Sequence, residues 1–236
     1  MGNLKKENNM KQNLKILYED NHIIVVEKPA NIPSQGDKTG DEDMLSIIKK
    51  YLIKKYNKPG DAYLGLVHRL DRPTGGVMVF AKTSKAASRL SEEIRNKKFE
   101  KEYICIVDGK MENNQGIFED YLVKNEKNNL SKVTDSKNKN AKKAKLEYEV
   151  LKYNKETNLS LVKVKLHTGR HHQIRVQFAS RNHSLYGDQK YGIRGKGKQL
   201  CLWAYRLSFT HPTTKEKLAF ETYPEKEGSW IILKNE

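Results

Sequence analysis

The sequence predicts an α+β domain built on a mixed, strand-rich sheet with two or three flanking helices. Strand-like runs clearly outnumber helical patterns along the chain. They fall in groups rather than alternating with helices, which argues against a doubly wound fold. No repeat of fixed period and no break in composition divides the 236 residues. One domain with a substantial core is therefore expected, with or without two lobes.

Residues 1–13 are polar and are expected to be a disordered tail, leaving residues 14–236 as the domain. Leu14–Tyr18 and Ile23–Glu27 form strand-like runs joined by the turn Glu19-Asp20-Asn21-His22. Pro29 and Pro33 break that pattern. Asp41 is a candidate N-cap for a helix whose apolar positions are Leu45, Ile48, Tyr51, Leu52 and Tyr56, stopped by Pro59-Gly60. The segment HRLDRPTGG, residues 68–76, is a charged loop that enters the apolar strand Val77–Ala81 through a Gly-Gly break. Thr83 or Ser84 caps a second helix with Ala87, Leu90 and Ile94 on its buried face. A strand over Phe99–Val107 closes at Asp108-Gly109, a dipeptide favoured in hairpin turns.

Strands over Gly116–Val123 and Lys145–Lys152 flank residues 124–143, a stretch of Asn, Lys and Ser with few apolar anchors. It reads equally as a basic hairpin reaching toward a ligand or as a solvated loop. Leu159 and Leu161, then Val162, Val164 and Leu166, change phase, as a bulge or a strand buried on both faces would. His167-Thr168-Gly169-Arg170 then turns the chain into a helix start containing Ile174 and Phe178. Such a place brings backbone N–H groups and arginines to anions. Strands over Leu200–Phe209 and Lys217–Glu221 flank His211-Pro212, and Trp230–Leu233 would add a last one.

Composition narrows the function. Forty-five Lys+Arg against 29 Asp+Glu leave a formal charge of +16, which points to a polyanionic partner, most simply nucleic acid. The competing explanation is lysine-rich filler on loops. Cys105 and Cys201, far apart, form neither a zinc motif nor a disulfide framework. No apolar run reaches membrane-spanning length, the N-terminus has no signal-peptide core, and the Met-Gly start lacks the Ser or Thr of a myristoylation site. The reading is a cytoplasmic protein, in which the sequons at Asn158 and Asn182 carry little meaning.

Asp71 is the leading chemical candidate. Arginines on both sides, Arg69 and Arg72, favour a carboxylate there, and a carboxylate held at a loop end can serve as a nucleophile. Gly192–Gly197 lacks dinucleotide-loop spacing and reads as a flexible basic loop. His167, His171 and His172 lack the acidic or cysteine companions of a metal site. Neither a Walker-type loop nor the Gly-rich loop of an S-adenosylmethionine methyltransferase is present. The inference is chemistry without cofactor or metal.

HRLDRPTGGVMVFAK, then KEYICIVDG, LHTGRHHQIRVQF and YGDQKYG, together resemble the RluA-type family of RNA pseudouridine synthases. The likeness keeps the family's order from DNHIIVVEKPANIPSQGD to LWAYRLSFTHP. It implies a central, largely antiparallel sheet with an active-site cleft between two lobes. The implied reaction exchanges a uridine's N–C glycosidic bond for a C–C bond at base carbon 5, within RNA and without a cofactor. Asp71 matches the family's nucleophilic aspartate; it can attack the sugar, stabilise its developing charge or remove a sugar proton. No second carboxylate is needed to activate water.

The resemblance assigns further roles. Tyr103 matches the active-site tyrosine, with its ring on the uracil and its hydroxyl toward carbon 5, although a core strand tyrosine is the simpler reading of its spacing. Arg175 matches the arginine that pairs with the aspartate, and Ile174 supplies apolar packing beside it. Arg69 corresponds to the arginine that fills the gap left by a flipped nucleotide. His68 and Arg72 position the loop or touch phosphate, Arg170 is an anion contact, and Tyr186–Gly192 helps build the cleft wall.

Gly75 stands where the family usually has Ser, which predicts a looser turn, and Asn182-His183-Ser184-Leu185 replaces the usual Gly-x-Pro. Many relatives carry an N-terminal RNA-binding domain, for which residues 1–13 leave no room. The catalytic domain is expected to grip a transfer or ribosomal RNA stem-loop itself, as a monomer, through salt-sensitive phosphate contacts. The alternatives are a catalytically silent RNA-binding protein on the same scaffold, or a DNA-binding protein, which would lack a recognition helix.

Overall fold

A computed structural model describes residues 14–192, 197–228 and 230–231. Its strands and helices are β1 Ile16–Glu19, β2 Ile23–Lys28, α1 Met44–Lys55, β3 Gly65–Leu66, β4 Gly75–Ala81, α2 Ser84–Arg95 and β5 Glu100–Asp108. They continue as β6 Gln115–Asn125, β7 Leu130–Thr134, β8 Lys142–Asn154, β9 Leu159–Leu166, α3 Gln173–Ala179, β10 Leu202–Thr210 and β11 Lys217–Glu221. The strands form an 11-stranded sheet ordered β1-β2-β4-β10-β5-β9-β8-β6-β7, with β3 on β4 and β11 on β10. Among the described strands only β4 with β10 is parallel. The α+β class and the largely antiparallel mixed sheet are as the sequence predicts.

Strand β4 is buried at every residue because both faces are covered. Met78 and Phe80 pack with Ile48 and Leu52 of α1, while Val77, Val79 and Ala81 pack with Ala86 and Leu90 of α2. Gly76, at φ +123, allows β4 to approach β10: a Cβ there would lie 2.1 Å from Ala204 O. The Gly75 turn is tight rather than loose, because the Trp203 ring occupies the space a side chain would need, 2.2 Å from an added Cβ.

Local corrections have clear causes. Helix α1 is capped by Asp43, which accepts from Ser46 N at 3.2 Å and Ser46 Oγ at 2.8 Å. Asp41 is drawn away into a pair with Arg72. Thr83 caps α2 as expected, accepting from Ala86 N at 3.1 Å. Asp108-Gly109 is not a hairpin turn: β9 and β10 occupy both edges of β5, so the chain leaves the sheet there. The phase switch in β9 reflects burial on both faces, and the bulge lies in its partner β8, between Val150 and Lys152.

Of the two readings left open for residues 124–143, the hairpin is correct: β6 and β8 are long paired strands, and β7 lies against β6 as the sheet edge. Trp230 is no strand residue; it and Ile231 lie in a short 3₁₀ turn, and Trp230 packs near Trp203 and Tyr205. Residues 232–233 lie outside the described residues, as do the expected tail 1–13 and most of the loop 192–197. No helix among the described residues is long and apolar enough to cross a membrane.

Candidate active site

Asp71 lies in the loop between β3 and β4, with about a third of its side chain exposed (32%). The end of β2 and the segment after it clamp this loop. The buried Lys28 ammonium donates to the carbonyls of Pro29 (3.0 Å), Ile32 (2.6 Å) and Arg72 (3.1 Å). Burial pulls the Lys28 pKa down to about 7, with Asp71 pulling the other way. Ser34 bridges both polar groups of Leu70, donating to its carbonyl at 2.8 Å and accepting its N–H at 3.1 Å. Thr74 N donates to Asp71 O at 2.9 Å, closing the turn. These bonds fix the backbone on both sides of the carboxylate.

Across from this loop, α3 presents Arg175, 5% exposed at its side chain. Its Nη1 lies 3.4 Å from Asp71 Oδ2, bringing the two expected partners together. The shorter contacts go elsewhere. Arg175 Nε and Nη2 donate to Asp188 Oδ2 and Oδ1, each at 2.7 Å. This fork fixes the guanidinium plane. Burial of the guanidinium opposes its charge, but Asp188 and Asp71 outweigh it and raise its pKa. Asp188 is itself held by the N–H groups of Lys190 (2.9 Å) and Tyr191 (3.1 Å).

His172 also faces the carboxylate, with Nε2 at 3.7 Å from Asp71 Oδ2. Burial, then the Arg175 guanidinium, pushes its pKa down to about 2, so the ring is neutral and this is no ion pair. The ring stacks on His171 at 3.7 Å between centroids, and its Nδ1 lies 2.8 Å from Tyr191 Oη. No cluster of three or more His, Cys, Asp or Glu side chains among the described residues is arranged to hold a metal ion.

Tyr103, on β5, is buried in the same apolar cluster as Leu70 and Ile174. Its hydroxyl makes no hydrogen bond with a described residue. Burial, then Asp71, raises the phenol's pKa well above 10, so it stands as the neutral phenol. Arg69 is exposed and makes no hydrogen bond or ion pair with a described residue, so its guanidinium is available to a ligand.

The other expected contacts divide differently. The contacts of His68 lie within the protein and suit the loop-positioning alternative. Its Nε2 accepts Val79 N–H at 3.1 Å, its ring meets Phe99 edge-on, and enclosure holds its pKa near 3. Arg72 is committed to the preceding loop through Asp41, Thr39 (3.0 Å) and Asn31 O (3.2 Å). Arg170 donates Nε to Lys143 O at 2.9 Å at the base of the hairpin. It lines a cleft of about 570 Å³ with Lys124, Lys139, Lys142 and His171.

Asp188, Tyr191 and Lys28 do not stand out individually in the sequence, and His172 reads there only as a non-ligand of metal. The available signal is the Tyr186–Gly192 motif, which reads as a cleft wall and whose Asp188 lies far from Asp71 in the chain.

A family model described as RNA pseudouridylate synthase matches residues 22–180. An RNA pseudouridine synthase of Aquifex aeolicus is 37% identical over 222 residues, 88% of this chain and 68% of that one. The ribosomal large subunit pseudouridine synthase C of Buchnera aphidicola subsp. Baizongia pistaciae is 33% identical over 237 residues, covering 93% and 70%. The structure of human RNA pseudouridylate synthase domain containing 4 superposes with a TM-score of 0.74 at 22% identity, covering 89% of each chain, a likeness of fold. The chain belongs to the RNA pseudouridine synthase family, of the RluA type. It is an isomerase that converts uridine in RNA to pseudouridine.

Proposed function

We propose that Asp71 is the catalytic carboxylate of this isomerase, and that residues 14–236 form one catalytic domain acting in the cytoplasm as a monomer. The observation that carries the assignment is the Asp71 carboxylate on a clamped loop, 3.4 Å from a buried arginine that is itself fixed by Asp188. Breaking the bond from uracil N1 to C1′ develops positive charge on the sugar. A fixed carboxylate lowers that barrier by attack, by charge stabilisation or by taking a sugar proton. The detached uracil turns, C5 bonds to C1′, the C5 proton is lost and N1 gains one.

Ile174 and the Tyr103 ring form the apolar surface on which the base turns, sheltered from water. Tyr103 enters the reaction as a neutral phenol, so its hydroxyl removes the C5 proton only if it first gives up its own. Arg69, with no hydrogen-bond or ion-pair partner among the described residues, fills the gap left by the flipped nucleotide. The seven lysines against two acids in residues 124–143 meet RNA phosphates. Ribosomal RNA is the leading substrate class, supported by the names of relatives such as the Buchnera synthase C. Tritium release from RNA labelled at uridine C5, with ribosomal and transfer RNA tested separately, checks this. Faster release from transfer RNA would reverse the substrate assignment.

A further inference from the structure

We propose that His172 is a positioning residue for Asp71, with its proton placed on Nε2 by Tyr191. The proposal rests on Asp71 being the catalytic carboxylate. It starts from a chain of contacts running from the hairpin to that carboxylate. Ser131 N–H of β7 donates to Tyr191 Oη at 2.8 Å, and the same oxygen lies 2.8 Å from His172 Nδ1. Burial keeps the Tyr191 phenol protonated, so it has one proton to give. His172 Nδ1 is the described acceptor within its reach. A neutral imidazole that accepts at Nδ1 carries its proton on Nε2.

That Nε2–H faces Asp71 Oδ2 at 3.7 Å. The opposite tautomer would set a lone pair against a carboxylate oxygen. The backbone supports a dedicated role: His172 occupies the N-cap position just before α3 at φ 53, a left-handed conformation that β-carbon-bearing residues avoid, and its side chain makes no capping hydrogen bond. Its ring is instead wedged between His171 and Tyr191. Ser131 Oγ holds His171 in turn, through Nδ1 at 2.9 Å.

Both groups that face the carboxylate, Arg175 Nη1 and His172 Nε2, address Oδ2. Oδ1 has no hydrogen bond to a described residue. The pair therefore presents Oδ1 to the sugar, and a closure of under about 1 Å on RNA binding would complete the His172 hydrogen bond. His172 donates a hydrogen bond throughout and transfers no proton.

Nitrogen-15 NMR of the histidine-labelled protein near neutral pH, with His172 assigned through His172→Gln, reads the tautomer directly. A protonated Nε2 and a bare Nδ1 are expected. Single-turnover rates at saturating RNA should fall about tenfold for Tyr191→Phe and about 100-fold for His172→Phe, with little change in RNA affinity. His172→Gln, whose amide N–H reaches toward the Nε2 position, should restore most of the rate lost in His172→Phe. A proton on Nδ1, a ring charged at neutral pH, or wild-type rates in folded Tyr191→Phe and His172→Phe would overturn the proposal. In parallel, Asp71→Ala separates the two readings: if it is inactive, such results reject only the His172 role; if it is active, the catalytic assignment of Asp71 fails.

Discussion

Arg175 is held by Asp188 rather than by Asp71: its Nε and Nη2 meet the two oxygens of Asp188 at 2.7 Å, leaving Nη1 for Asp71 at 3.4 Å. The buried fork fixes the arginine before RNA arrives, and the looser contact leaves the carboxylate proposed for the chemistry free to react. Asp188 is thus as much a part of the site as Arg175.

Asp188→Asn should be severely destabilising, since it leaves the Arg175 guanidinium buried without its partner. A loss of about 3–5 kcal/mol is expected, measured by urea denaturation. Arg175→Lys, which keeps the charge but loses the fork, should retain more stability than Arg175→Met while losing most of the turnover.

Lys28→Met should loosen the Asp71 loop. It leaves the carbonyls of Pro29 and Ile32 without the ammonium that bonds them, at about 1–3 kcal/mol for each group kept from water, and leaves Arg72 O only the Asn31 N–H. Calorimetry should show a lower Tm, and hydrogen exchange should rise at Asn31 and Leu70, whose N–H groups are bonded across the clamp.

Acidification should destabilise the protein through His68 and His172. Their folded pKa values, about 3 and about 2, lie below the unfolded value of 6.5, so the unfolded state binds protons first. This contribution is fully present above pH 6.5 and is lost as pH falls from there toward the folded values. Between about pH 7 and pH 5 a fully enclosed ring costs about 2 kcal/mol. His68, only half-buried by surface area, should contribute less. Denaturation midpoints across this range should fall less steeply in His172→Gln than in the wild type.

Lys139→Gln and Lys142→Gln together should weaken RNA binding while leaving the single-turnover rate at saturation unchanged. Each lost phosphate contact should flatten the slope of log affinity against log salt by about 0.7–0.9. A filter-binding series over salt reads this directly; an unchanged slope would remove the hairpin from the RNA interface.

Much of this site was legible because its chemistry sits in contiguous motifs. Asp71 stands out among Arg69, Arg72 and a Gly-Gly break, and the buried strands β4 and β9 show as apolar, β-branched runs. What the sequence concealed were choices made by distant partners. Asp41 and Asp43 are equivalent caps locally until Arg72 takes the first. Asp108-Gly109 has hairpin chemistry, but the two free edges of β5 are filled from β9 and β10. Asp188 captures Arg175 from 13 residues away, a pairing set by the return of the chain after α3. His68 and Arg72 carry basicity or charge in the loop, yet Val79 N–H engages the first and Asp41, at the surface, the second.

The role proposed for Asp71 is to perform the chemistry rather than to hold the RNA. It is tested most directly by tritium release from C5-labelled RNA under single turnover, comparing wild type with Asp71→Asn at matched RNA occupancy. Release by the wild type, none above background by Asp71→Asn, and RNA affinities within a few fold are expected. Release by Asp71→Asn at the wild-type rate would contradict that role.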